Sequence, residues 1–346
     1  MKFKAAVLSK LNSKLSLQTI EMPKKLDDHQ VLVKIKYSGI CGSQIGEIKG
    51  VKGKDNYLPH LLGHEGSGVV IKKGKKVKKV NINDHVCLHW IKDNKSNEGK
   101  TPKYKFNNRR INAGHITTFN QFALISENRV TKINKNFPLD EAAIIGCAVL
   151  TGFGAVNNIA KVKPDSTAVV FGAGGIGLNI VQALKLKKVK RIIAYDTNRN
   201  QLNLAKKLGA HKIIQLKKNN YLKLSKSISI IKNIDYVFEN TGALKSLEVI
   251  YNNIKGNIKI ILIGVPHFNN RLSINTLKIN LGISFLGCVG GNSNPSNDIP
   301  KIIKLIDKKK INLKKIIKKK IKFKDINKAI SLMQKPNNYG RILLEF

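Results

Sequence analysis

Arginine is scarce in this chain: seven residues of 346, against 56 lysines. There is one tryptophan, and 21 acidic residues face 63 basic ones, a formal net charge of +42. A charge of that size raises the question of a nucleic-acid partner. The shortage of arginine argues against one, because its planar fork is what reads base edges and phosphates bidentately. The lysines are spread along the chain, and asparagine and isoleucine are abundant beside them, as AT-rich coding produces. No specific nucleic-acid partner is expected.

Long uninterrupted apolar runs are also missing. The longest stretches, near Ala142–Val156 and Ala168–Leu184, are broken by glycine and read as too short to span a bilayer. The run Ala5–Leu8 is too short for the apolar part of a signal peptide. These readings predict a cytoplasmic protein with no membrane partner. Four cysteines, at 41, 87, 147 and 288, do not make a disulfide framework in a chain this long. A metal or catalytic role is the better default for some of them. Cys87 and His89 read as packing residues inside a strand, and His89, Trp90 and His115 are the candidates for a pocket wall.

What the sequence does have is concentrated between Thr167 and Asp196. Apolar Ala168–Phe171 reads as a buried parallel strand. Gly172, Gly174 and Gly177 then give Gly-x-Gly-x-x-Gly, with Gly175 and Ile176 inside the motif. Ile176, Leu178, Ile180, Val181 and Leu184 mark a helix face, and Arg191–Tyr195 a second buried strand. Asp196 closes that strand, 19 residues after Gly177. Strand, glycine turn, helix, strand and acid together form the dinucleotide-binding fingerprint. Gly172 permits the turn, Gly174 the approach of a pyrophosphate at the helix N-terminus, and Gly177 close packing of helix on strand. Asp196 is placed to accept hydrogen bonds from ribose hydroxyls and to repel a 2′-phosphate, which predicts NAD over NADP. Arg199, three residues on, is the one group able to offset that charge.

Around this unit the pattern is consistent with two domains. Residues 3–36 read as short strands, Asp84–Trp90 and Thr117–Ile133 as further strands, and 92–110 as a polar loop. Asp140–Ala155 reads as an apolar helix. From 166 to 264 strands and helices alternate, giving a doubly wound sheet of about six strands. Gly264-Val265-Pro266 ends its fifth strand at the carboxyl edge, where ligands bind. Residues 308–323 read as a solvated basic segment between two helices.

Cys41 lies in Gly-Ile-Cys-Gly-Ser43, and His64 and Glu65 in Gly63-His-Glu-Gly66. Cys147 lies in Gly146-Cys-Ala-Val-Leu-Thr151-Gly152-Phe-Gly154-Ala155. Two thiolates and one imidazole are what a catalytic zinc uses, with the fourth position open. No local metal pattern connects them, since 23 and 83 positions intervene. Taken in order with the fingerprint, Asp196 and Gly340-Arg341, these motifs resemble the zinc-dependent alcohol dehydrogenases of the medium-chain dehydrogenase superfamily, nearly end to end. The resemblance implies an α/β protein. A GroES-like, mostly-β catalytic domain (1–148 and 289–346) would surround a Rossmann domain (149–288).

It implies further that Cys41, His64 and Cys147 bind zinc, with Glu65 as a carboxylate able to swing toward the metal. Ser43 would accept the alcohol proton, Thr151 would sit beside the nicotinamide and Arg341 would reach the pyrophosphate. The function implied is hydride transfer between NAD and an alcohol or carbonyl compound, with a secondary alcohol or a sugar or polyol derivative as the expected substrate. A homodimer or homotetramer is expected. Two readings compete: a zinc-free quinone-reductase-like enzyme, and a non-enzymatic cofactor-binding protein. The chain departs from the family pattern at Gln44 and Gly46, where Asp and His are usual. Between Cys87 and Cys147 it has no cysteine for a structural zinc, so one zinc per chain is expected.

Overall fold

Lysines alternate with apolar residues at the start of the first strand, Lys2–Leu8, and from Ala5 onward the strand is buried on both faces. The computed structural model describes all 346 residues and divides into two compact units. The first comprises Met1–Leu150, Asn294–Lys335 and Arg341–Phe346; the second comprises Thr151–Ser293 and Pro336–Gly340.

The first unit is built on two sheets. One orders strands 60–61, 2–8, 16–21, 104–106 and 109–111. The other runs 130–133, 85–89, 65–73, 30–39, 341–345 and 317–322, with 122–126 also pairing to 30–39. Strand Gln30–Gly39 is the hub, antiparallel to both Glu65–Lys73 and Arg341–Glu345. Its register sets Ser38 opposite Gly66 and Gly39 opposite Leu343. Residues 40, 65 and 341 are thereby brought to one end of the sheet.

Two expectations for this unit need correcting. Residues 92–110 are not all loop: Tyr104–Phe106 and Arg109–Ile111 pair as a hairpin, hidden in the sequence by its polar composition. The basic segment contains a strand, Ile317–Lys322, at the sheet edge. Lysines along an exposed edge discourage pairing with other chains, and Lys320 and Lys322 reach Asp140 and Glu345.

The apolar helix is also longer than its glycines suggested. It covers Leu139–Ile159, 21 residues, and is long and apolar enough to cross a membrane. Its most apolar window is 83% buried inside the protein, as in a core helix. The glycines do not break it because packing requires them: a Cβ on Gly146 would lie 2.0 Å from the Leu88 carbonyl oxygen.

The second unit holds a six-stranded parallel sheet. Its strands are β1 (Thr167–Phe171), β2 (Arg191–Asp196), β3 (Lys212–Gln215), β4 (Tyr236–Glu239), β5 (Lys259–Leu262) and β6 (Ser284–Gly287), in the order β3-β2-β1-β4-β5-β6. This is the doubly wound arrangement, with its switch point between β1 and β4. A helix at Tyr221–Ser229, which the sequence reading did not single out, follows β3. Val169, Tyr195, Val237 and Ile260 lie in the core that these strands share.

Candidate active site

Cys41 follows the hub strand and precedes the short helix Gly42–Ile48. His64 stands just before strand Glu65–Lys73, and Glu65 is its first residue. Cys147 enters from the long helix, seated by the contact of Gly146 on Leu88. One ligand atom from each of these four side chains lies within 4.8 Å of all the others. His64 Nε2 is 3.2 Å from Cys147 Sγ. The edge of a zinc tetrahedron built with bonds of about 2.0–2.3 Å is roughly 3.3–3.8 Å, close to the separation of that pair. Two sulfurs and an imidazole are the donor set of a catalytic zinc, and the residues fit the metal.

The electrostatics of the cluster are those of a site built to hold a cation. Hydrogen bonding from Cys147 holds the Cys41 thiol well below its usual range, against burial and with help from His64. Cys147 is pushed up by that same contact and by burial. Burial pulls His64 down, but the neighbouring Cys41 thiolate outweighs it and leaves the imidazole raised. Ser43 Oγ donates to Cys41 Sγ at 3.3 Å. Gln44 is buried, and with its amide oriented to suit its neighbours its oxygen accepts from the backbone N–H groups of Gly63 and His64. It supports the ligand segment through the main chain and brings no charge to it.

Glu65 is paired with Arg341, Nη2 donating to Oε1, and both side chains are buried. Burial raises the carboxyl against the opposing pull of the guanidinium. Gly39 makes room for the pair: a Cβ there would come within 2.6 Å of Glu65 Oε1. The resemblance sends Arg341 to the pyrophosphate. Here its Nη2 serves Glu65, while its Nε is buried without a partner.

A cavity of about 460 Å³ opens beside His64. Its lining includes Gln44, Glu47, Asp55, His60, Arg110 and Asn112, and no lysine. His60 Nε2 lies 2.8 Å from Asp55 Oδ2, and its Nδ1 lies 3.0 Å from the Leu61 carbonyl. Sequence reading had not singled out Glu47, Asp55 or His60. No motif marks them; only the fold brings them to the cavity beside His64.

Cys87 and His89 are fully buried on their strand and take no part in the cluster. His89 Nδ1 lies 2.8 Å from the Ile91 carbonyl, so it carries the proton, and Nε2 is left to accept from Thr131 at 3.0 Å. Burial, then the charge of Lys79, pushes its pKa down to about 3. An unfolded histidine titrates near 6.5, so the unfolded chain binds the extra proton between those values, and stability falls as pH drops through the window. The slope attributable to this group is about 1.4 kcal/mol per pH unit. Urea unfolding at pH 5 and 7 should show that His89→Gln loses less stability on acidification than the parent. Equal losses would contradict the assignment.

The loop after Trp90 is fastened by hydrogen bonds and ion pairs. Asp93 is buried and accepts from Lys79 and Ser296, Asn94 and Lys95 bond Asn294 and Asn297 at 2.6 Å, and Glu98 pairs with Arg129 at 3.2 Å.

In the second unit, helix Gly175–Leu186 begins at the glycine turn with Gly174 as its N-cap. Gly172 has φ +89°, and a Cβ on Gly177 would lie 2.1 Å from the Gly172 carbonyl oxygen. A Cβ on Gly174 would meet nothing within 4 Å. That glycine therefore serves no packing need and leaves an open cradle, as a bound pyrophosphate requires. Asp196 accepts from the N–H groups of Ala173 and Asn198, each at 2.8 Å, which fixes it against the turn. Arg199 is exposed and forms no ion pair with it. Val265 is 51% exposed just beyond β5, and the buried Thr151 hydroxyl has no hydrogen-bond partner.

Comparison with known proteins agrees with this geometry. Residues 27–135 match the alcohol dehydrogenase GroES-like domain, and residues 175–308 match the zinc-binding dehydrogenase domain. The chain is 29% identical to S-(hydroxymethyl)glutathione dehydrogenase of Synechocystis, over 96% of this chain and 97% of that one. It is also 29% identical to the enzyme of the same name from Escherichia coli, over 99% and 100%. Among solved structures, benzyl alcohol dehydrogenase from Acinetobacter calcoaceticus is 26% identical with a TM-score of 0.87, covering 100% of this chain and 99% of that one.

Proposed function

From the premise that this chain belongs to the zinc-dependent alcohol dehydrogenase family, we propose that it oxidises a secondary alcohol or polyol with NAD at the Cys41–His64–Cys147 cluster. The observation that carries the reading is the convergence of those ligand atoms, with Glu65, inside 4.8 Å. Zinc held there would polarise the alcohol oxygen, and NAD would take the hydride. Ser43, beside Cys41, takes the hydroxyl proton. Glu65 stays with Arg341 and sets the charge behind the ligands. Thr151 offers its free hydroxyl toward the nicotinamide, and Gly172, Gly174, Gly175, Ile176, Gly177 and Val265 frame the dinucleotide. The cavity wall beside His64 supports a substrate with several hydroxyls, because side chains of both hydrogen-bonding characters line it. The four unpaired cysteines suit the cytoplasm. A homodimer or homotetramer is the expected assembly, measurable by light scattering.

The test is NADH formation with a panel of primary alcohols, secondary alcohols, polyols and S-(hydroxymethyl)glutathione. Secondary alcohols or polyols should give the highest kcat/KM. A primary alcohol or the glutathione adduct in first place would overturn the substrate reading, and an inert panel would overturn the function.

Cofactor choice rests on Asp196. Its carboxylate, anchored by two N–H groups, is expected to oppose a 2′-phosphate and accept the ribose hydroxyls. A charge-assisted interaction of this kind is worth about 1.5–3 kcal/mol, so NAD should be preferred over NADP by at least about tenfold. Asp196→Ser should erase most of that preference in steady-state kinetics. Parent enzyme using both cofactors equally would contradict the assignment.

A further inference from the structure

We propose that Glu47 is the group that receives the substrate proton from Ser43 and hands it to solvent; the inference rests on the proposed function. Ser43 must pass its proton on, and the usual imidazole is absent because position 46 is glycine. Glu47 stands on the same short helix, Gly42–Ile48, four residues after Ser43. That spacing puts both side chains on one face, with Cβ atoms about 5–6 Å apart, within reach directly or through one water. Glu47 is half-buried and lines the cavity beside His64. Its carboxylate has neither an ion pair nor a side-chain hydrogen bond, in a chain with 63 basic residues.

The other charged or titratable groups facing that cavity are committed or unsuitable. His64 belongs to the metal cluster. His60 and Asp55 are bonded to each other. Tyr57 is 72% exposed, and Arg110 can only donate. Glu47 alone combines an acceptor, an open side toward water and a place on the Ser43 helix.

The step balances. In the proposed function the alcohol carbon would give its hydride to NAD, which would be the oxidant, and the C–O bond would become C=O. The hydroxyl proton goes to Ser43 Oγ while Ser43 gives its own proton to the Glu47 carboxylate. The resulting carboxylic acid then releases that proton to solvent.

Glu47→Gln keeps the shape and removes the acceptor. Proton transfer by a placed side chain is worth about 10²–10⁴-fold, and water can replace part of it, so kcat at neutral pH should fall by at least about tenfold. The acid limb of the pH profile should be lost, and proton release in a single turnover, followed with a pH indicator, should slow. Zinc content and NADH binding should match the parent. Glu47→Asp should retain the acid limb. Gly46→His in the Glu47→Gln background should restore rate, since a Cβ at Gly46 meets only ordinary contacts, 3.5 Å from Val51. Active parent enzyme with a Glu47→Gln variant of unchanged rate and pH profile would overturn the relay alone, as would parallel loss of zinc or NADH binding. A parent inert toward every alcohol would instead overturn the functional reading.

Discussion

Cys147→Ala is expected to empty the metal site and to lower alcohol oxidation at least about a thousandfold, while NADH binding survives. The magnitude follows from chemistry: a Lewis acid supplies several kcal/mol of transition-state stabilisation, and each 1.36 kcal/mol is about tenfold in rate. Removing one of two thiolates leaves Cys41 and His64, too few to close a catalytic site that uses three protein ligands. Cys147 is buried on the long helix, and alanine suits a helix, so the fold has little reason to fail. The glycine cradle and Asp196 lie in the other compact unit and keep their own hydrogen bonds. Metal analysis, NAD reduction and NADH fluorescence on the same preparation separate these effects. A variant that keeps stoichiometric zinc and full turnover would remove Cys147 from the ligand set.

Arg341→Met should be the most destabilising change at the site. Its guanidinium and the Glu65 carboxylate are both buried, so deleting one leaves the other charged group without compensation. Breaking such a pair costs about 3–5 kcal/mol. At roughly 2–4 °C per kcal/mol for a larger domain, the melting temperature should fall by about 10 °C. The double variant Arg341→Met with Glu65→Leu removes both charges, and such apolar replacements are often neutral or better. It should therefore melt above the single variant even though it carries one more substitution. Thermal melts of the metal-free proteins make the comparison cleanest. A single variant within about 2 °C of the parent, set against that expected fall, would show that the pair is not what holds residues 65 and 341 together.

The contrast between these two residues shows what a sequence can disclose. The nucleotide unit was readable because its signals are local: strand, glycine turn, helix, strand and Asp196 fall within 30 residues, each dictated by backbone geometry. The three candidate metal ligands were named through motif resemblance, and the strand register and the Gly146–Leu88 contact explain how such distant positions meet. The Glu65–Arg341 pair was not readable as a pair, because its members are 276 positions apart and no periodicity links them. Glu47 was passed over because an acid on a short helix has no signature; only its cavity and its lack of a partner give it meaning. The hairpin 104–111 was lost in polar composition, and the helix 139–159 was read short because glycine usually interrupts helices.

The most direct test of the account is X-ray absorption at the zinc edge on purified, untreated protein. The account predicts about one zinc per chain, with two sulfur neighbours near 2.3 Å and one or two nitrogen or oxygen neighbours near 2.0–2.2 Å. Cys147→Ala should abolish the signal. Protein without zinc, or zinc surrounded by four sulfurs, would contradict it.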